Sequence, residues 1–141
     1  MTHPKQPRTI YAAGLALLYW LAIFWATHVP GSLVPQAAGF DKWAHFFAYA
    51  GLAVVLALAA SVIWRPGLAT YVGVWLVAAS YGALDELTQL LVPGRSADVR
   101  DWLADIGGAG LGIVMFHVAM SLLLQRSRDR KDLDVAAIEK A

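Results

Sequence analysis

Four long apolar runs alternate along the chain with short junctions rich in proline, glycine and charge. The runs cover about residues 10–28, 43–64, 68–92 and 102–124. Each is close to or above the roughly 20 apolar residues that a helix needs to cross a bilayer. "VPGSLVP" follows the first run, "RPG" the second and "PGR" the third, while "QRSRDRK" ends the fourth. Breakers therefore sit between the runs, where turns belong. The pattern predicts an all-α polytopic membrane protein: a bundle of four transmembrane helices, read as a single domain over residues 1–141, with a polar tail over residues 125–141.

Composition strengthens this reading. Hydrophobic residues make up 59% of the chain and charged residues 15%, with a mean hydropathy of +0.56. A soluble domain carries about 25% charged residues. The net charge of +1 gives no basic surface for nucleic acid, so no nucleic-acid partner is expected. The absence of cysteine removes disulfides, thiolate ligands and a cysteine nucleophile. Lys5 and Arg8 precede the first run as they would in a signal peptide. That run is long for an h-region, however, and no small-x-small cleavage site follows, so a retained helix is expected.

The placement of Lys and Arg predicts orientation. Lys5, Arg8, Arg65, Arg126, Arg128, Arg130, Lys131 and Lys140 fall on one side, against Lys42, Arg95 and Arg100 on the other. By the positive-inside rule both termini are cytoplasmic, and in a bacterium the loops near residues 31–42 and 93–101 face outward from the inner membrane. Two readings fit the tail: a short helix on the headgroups, or a solvated, partly disordered segment.

The polar residues inside the runs gather at one end. Asp41, His45 and Tyr49 are spaced i, i+4, i+8 in the second run, a single helical stripe. Glu86 and Gln89 are spaced i, i+3 in the third, and Asp101 and Asp105 i, i+4 in the fourth. At 1.5 Å per residue, Glu86 lies about 10 Å below Pro93, His45 about 6 Å below Asp41 and Asp105 about 6 Å below Asp101. These groups can meet in one shallow layer. A carboxylate at the bilayer centre costs roughly 2.5–3.5 kcal/mol on insertion scales. Turning such groups toward one another and toward water lowers that cost, which predicts an outward-facing polar pocket between the second, third and fourth helices.

A structural role suits part of the set. Asp41 and Asp101, with Asp98, can favour helix N-termini, and Arg95 can pair with Asp98 or Asp101 to hold a loop. Equally, Arg95 in the "VPGRS" turn, with Lys42, could bind an anionic headgroup. Glu86, Gln89, His45 and Tyr49 lie within the runs and are not explained by capping. Asp85 points about 100° from Glu86 on a helix; either could be the pocket acid, and alignment with Gln89 favours Glu86. Ala104, Gly108 and Gly112 form a small-xxx-small stripe for close packing, within the bundle or between copies. His117 reads as a packing or interfacial residue, and His3 and His28 as loop residues of little signal.

The stretches "DKWAHFFAYAGL", "DELTQ", "PGRSADVRD" and "LADIGGAGLG" resemble the VanZ-like family of small bacterial membrane proteins. The matching positions are Asp41, Lys42, His45, Tyr49, Glu86, Gln89, Gly94, Arg95, Asp101 and Gly108, between about Phe40 and Gly112, with the first run agreeing only in character. Asp105 stands where that family usually has asparagine. The namesake's link to teicoplanin resistance implies a cell-envelope role, and the resemblance implies no particular reaction.

Three functions are open at this point. One is a pocket that binds or modulates an anionic envelope lipid or lipid-linked cell-wall precursor, through Arg95 and Lys42 with Asp41, Tyr49, Gln89 and Asp105. A second is a membrane-embedded enzyme on such a lipid, with His45 and Glu86 as base and acid and Asp101 orienting the histidine. No cofactor is predicted, although a divalent metal on His45, Glu86, Asp101 and Asp105 fits the ligand chemistry. A third is an ion or proton pathway. Against it, only Ser61, His117 and Ser121 interrupt residues 52–63 and 114–124. A homo-oligomer or an envelope-protein partner is compatible with all three.

Overall fold

The structure is a computed structural model that describes residues 5–33 and 39–139, the side chains of Lys5, Gln6 and Glu139 excepted. His3 and Lys140 lie outside the described residues. Four helices follow in order: α1 (Lys5–Thr27), α2 (Phe40–Ile63), α3 (Leu68–Gln89) and α4 (Val99–Glu139), with a 3-10 turn at Gly31–Leu33. No strand occurs among the described residues. All four helices are long and apolar enough to cross a membrane. Most of their large apolar side chains face outward, Trp25, Leu68, Leu76 and Leu122 among them, as a lipid-facing surface requires.

Helix α3 ends three residues earlier than the apolar run suggests. Leu91 N–H donates to Thr88 O and Val92 N–H to Gln89 O, tightening the chain into a turn. Pro93 disfavours helical backbone in the residue before it, and Gly94 follows with a φ of 75°. Helix α4, by contrast, does not stop near Leu124. It continues to Glu139, 41 residues in all, or about 60 Å at 1.5 Å per residue. That is about twice the hydrocarbon thickness, and from Gln125 onward its described side chains are exposed. Through Glu139 the tail is thus one continuous, solvent-exposed helix with the fourth span rather than a separate surface helix.

The bundle is built around the α2–α4 contact, the most extensive in the molecule. Here the small-residue stripe packs inside the chain. A Cβ on Gly108 would overlap the Phe46 carbonyl oxygen, and one on Gly112 that of Ala50. Only hydrogen at these positions lets the two backbones approach so closely. Helix α3 is tied to α4 by indole donors, Trp102 Nε1 to Ala79 O at 2.9 Å and Trp75 Nε1 to Ile106 O at 3.2 Å. Helix α1 meets α2 where the Tyr19 hydroxyl donates to Ala48 O at 3.2 Å, in space that a side chain on Gly51 would fill.

The α1–α2 and α3–α4 connections lie side by side at one end. Gly31 N–H donates to Pro93 O at 3.2 Å, and a Cβ on Gly31 would overlap the Gly94 carbonyl. Arg95 Nε reaches across to Val29 O at 3.1 Å. This stitched end carries the polar cluster.

Candidate functional site

The cluster has two layers. In the outer one, Lys42 Nζ lies 3.0 Å from Asp98 Oδ2 and 2.9 Å from Asp101 Oδ1, while Arg95 Nη1 lies 3.4 Å from Asp41 Oδ1. Asp98 also caps α4: its Oδ1 accepts from Arg100 N–H at 2.9 Å. That backbone donor first, and then the Lys42 ammonium, hold the Asp98 carboxyl below the usual carboxylate range. The acid that Arg95 meets is thus Asp41 rather than Asp98 or Asp101. The folding of one connection against the other sets that pairing, and sequence distance conceals it.

The inner layer is buried. His45, Asp85, Glu86, Gln89 and Asp105 are shielded from solvent, with Asp105 at 0% exposure and Asp85 at 1%. His45 Nδ1 is 2.9 Å from Asp105 Oδ1 and 3.9 Å from Glu86 Oε1. The histidine is thus oriented by Asp105 and not, as expected, by Asp101, which is one turn nearer the helix start and is engaged by Lys42. Glu86 Oε2 accepts from Asp98 N–H at 2.7 Å, which joins the two layers. Gly82 makes room for Asp105, since a Cβ there would lie 2.7 Å from Asp105 Oδ2.

Asp85 belongs to this layer as fully as Glu86 does. Its Oδ1 accepts from the Thr27 hydroxyl at 2.9 Å and its Oδ2 from Gln89 Nε2 at 3.0 Å. Gln89 is farther from Glu86, at 3.5 Å. His28 stands nearby, its Nδ1 3.8 Å from Asp85 Oδ1 and its Nε2 3.1 Å from Thr88 Oγ1. The first helix therefore contributes to the cluster, which is not confined to the other three. Thr27 and His28 gave a weak signal because they close an apolar run with no charged neighbour. Asp85 ranks behind Glu86 in a one-helix projection, which assigns α3 a single inward face, whereas it has two.

Tyr49 and Tyr81 form the floor, their rings stacked at 5.8 Å. Among the described residues, neither the Tyr49 hydroxyl nor Asp105 Oδ2 has a hydrogen-bond partner. Tyr49 and His45 both line a cavity of about 530 Å³ between α1 and α2. One end of that cavity is polar, with Thr27, Asp41, His45 and Arg95. Ala22, Ile23, Ala26, Ala44 and Ala48 make an apolar wall. Toward the other end of the bundle a cavity of about 540 Å³ is lined by no acid, histidine or base. His117 lies outside the cluster, its Nδ1 3.3 Å from the Tyr71 hydroxyl.

Four apolar helices with a histidine–carboxylate cluster at one end define a multi-pass membrane protein with a polar site inside its spanning segments. The family model described as VanZ/LLP1 matches residues 4–123, and the chain belongs to that family. The match takes in α1, which the sequence motifs alone left out. No curated protein and no solved structure matches the chain.

Proposed function

We propose that the cavity between α1 and α2 takes up the headgroup and first acyl carbons of an anionic envelope lipid or lipid-linked cell-wall precursor. In this reading the stitched end faces outward from the bacterial inner membrane, with both termini cytoplasmic, as the Lys and Arg distribution favours. The supporting observation is the polarity gradient of the 530 Å³ cavity, from Arg95, Asp41 and His45 at one end to an alanine-rich wall. A headgroup would meet the first and a lipid chain the second. Among the described residues Arg95 engages Val29 and Asp41 through Nε and Nη1 only, which leaves guanidinium donors for an anion. Lys42, held between two acids, contributes less than the sequence suggested. Binding of this kind is compatible with the family's association with teicoplanin susceptibility.

The test is native mass spectrometry of the chain in mild detergent, with phosphatidylglycerol or a polyprenyl phosphate added. A lipid adduct is expected on wild type, weakened in Arg95→Ala and lost in Ala44→Trp, which fills the cavity from its apolar wall. Equal adducts on all three proteins would sink the proposal.

One observation favours a second reading, catalysis on such a lipid. With Nδ1–H donating to Asp105, the His45 lone pair is on Nε2, the arrangement of an oriented general base. Glu86 is the neighbouring acid. Turnover of a lipid-linked phosphate that is lost in Glu86→Gln while binding persists would establish this reading over simple binding.

A further inference from the structure

The charges of the inner layer do not balance. Asp41, Asp98 and Asp101 each have a lysine or arginine partner. The ion-pair partners of Asp85, Glu86 and Asp105 among the described residues are histidines alone. Three carboxylates buried within spanning helices, with no fixed cation among them, need protons or a bound cation. Asp85 is the best satisfied of the three, holding the Thr27 hydroxyl and the Gln89 amide. The deficit falls on Glu86 and Asp105.

We infer that His45, Glu86 and Asp105 bind one divalent transition cation, of the zinc or manganese class. Donor atoms from these three residues lie within 4.8 Å of one another, and all three residues are buried. Bonds of about 2.05 Å in a tetrahedral site separate ligand atoms by about 3.3 Å. The His45 Nδ1 distances of 2.9 Å to Asp105 and 3.9 Å to Glu86 bracket that value, so small side-chain shifts suffice. One imidazole and two carboxylates form a nitrogen–oxygen set that suits these metals, and their charge of −2 balances the ion. The cation takes the place of the proton shared between His45 and the carboxylates.

Two further observations point the same way. Asp105 Oδ2 and the Tyr49 hydroxyl are completely enclosed and have no hydrogen-bond partner among the described residues, and Tyr49 lines the same cavity as His45. Three protein ligands leave a coordination position, as catalytic zinc sites do, and the cavity beside His45 gives it access. A second group, Asp41, His45 and Asp101, also has ligand spacing. Its acids are already neutralised by Arg95 and Lys42, so it lacks the deficit that calls for a cation. Metal binding does not depend on the cavity's taking a lipid. If the lipid reading holds as well, the ion would present positive charge to an anionic headgroup inside an otherwise acidic site.

The full chain, purified in mild detergent and stripped with chelator, is titrated with Zn2+ and with Co2+. Bound metal is read by mass spectrometry, and Co2+ ligation by its visible absorption. One ion per chain is expected on wild type, with a Co2+ spectrum of nitrogen and oxygen ligation and a higher unfolding midpoint. Loss of an outer hydrogen-bonding partner weakens metal sites about 10–100-fold, so loss of a ligand in Asp105→Asn or Glu86→Gln should weaken binding at least about 100-fold. Asp132→Asn, on the exposed far part of α4, should bind as wild type does. Stripped wild type that takes up no metal would overturn the proposal. So would equal uptake by wild type and folded Asp105→Asn, which would assign the ion to the outer acids or the surface. If the variants fail to fold, the wild-type Co2+ spectrum decides: one without a nitrogen ligand overturns the site.

Discussion

Adding one methyl group at Gly108 probes both the packing and the site. In Gly108→Ala the new Cβ would come 2.8 Å from the Phe46 carbonyl carbon, whereas carbon atoms pack at about 3.5 Å. The obstacle is backbone, which cannot rotate aside, and the Phe46 carbonyl oxygen is nearer still, so α2 and α4 must separate locally by at least about 0.7 Å. Overpacking of this kind costs about 1–3 kcal/mol, against a gain of about 1 kcal/mol when alanine replaces glycine within a helix. The net effect is a loss of up to about 2 kcal/mol. The separation also reaches the cluster. His45 adjoins Phe46, and Asp105 lies one turn before Gly108. Added along their line, a separation of at least about 0.7 Å stretches the 2.9 Å His45–Asp105 contact to about 3.6 Å or more, beyond hydrogen-bonding range. Denaturant titration in detergent measures the first effect, and the nitrogen-15 shift of the His45 ring the second. Gly110→Ala is the control, because a Cβ there meets nothing within 4 Å. It should gain stability by up to about 1 kcal/mol. If Gly108→Ala matches Gly110→Ala in midpoint and keeps the wild-type His45 signal, the close α2–α4 contact is refuted.

Other substitutions test individual links. Asp85→Leu strips the acceptor from the Gln89 amide, at about 1–3 kcal/mol for the buried donor left unpaired, whereas the Thr27 hydroxyl can turn to the Ile23 and Phe24 carbonyls; Asp85→Asn keeps one acceptor and should cost less, and denaturation midpoints in the reverse order would contradict the network. Arg95→Lys keeps the charge near Asp41 but not the Nε donor to Val29 O, so amide hydrogen exchange at Gly31 and Arg95 should accelerate; unchanged exchange would mean that the arginine does not hold the two connections together. Because the Asp98 carboxyl is held low in the folded chain, its contribution is present above the ordinary value of about 3.9 and fades as pH falls through the lower folded value. Asp98→Asn should therefore lower the unfolding midpoint at pH 6 and converge with wild type in strong acid; a pH-independent gap would place the effect in packing.

Sequence patterning located the four spans because the solvent requirement is local: a run is either long and apolar enough or it is not. The gathering of His45, Glu86, Asp101 and Asp105 at one end was legible for a similar reason. Alternate crossings return the chain to the same side, so position along each run reports depth. What could not be read was which helix each side chain meets. Asp85 and Glu86 differ by 100° on α3, and that rotation turns one toward Thr27 of α1 and the other toward His45 of α2. A single-helix projection treats such a pair as one inward and one outward residue, which fails for a helix packed on two sides. The choice of Asp105 over Asp101 as the partner of His45 is likewise a matter of one turn of depth, fixed by how closely Gly108 lets α4 approach α2. The pairing of Arg95 with Asp41 depends on two connections lying side by side, which no spacing within either one encodes.

The two layers divide the candidate residues by their physical role. Asp41, Lys42, Arg95, Asp98 and Asp101 form pairs of opposite fixed charge where the spans meet the connections, and such pairs can be accounted for by holding loops and helix starts. The inner group has no comparable account. Buried ion pairs and acids are weak contributors to stability, and well-packed apolar residues of similar volume commonly serve a core as well or better. A cluster kept only for packing would not need His45, Asp85, Glu86 and Asp105 together, nor leave Asp105 Oδ2 and the Tyr49 hydroxyl without partners. The unmet hydrogen-bonding capacity lies beside a cavity with both polar and apolar lining. A ligand bound there would meet His45, with two carboxylates beside its Nδ1. The function of the protein should therefore be more sensitive to the isosteric changes Glu86→Gln and Asp105→Asn than its folding is, while the reverse should hold for Asp41 and Asp98.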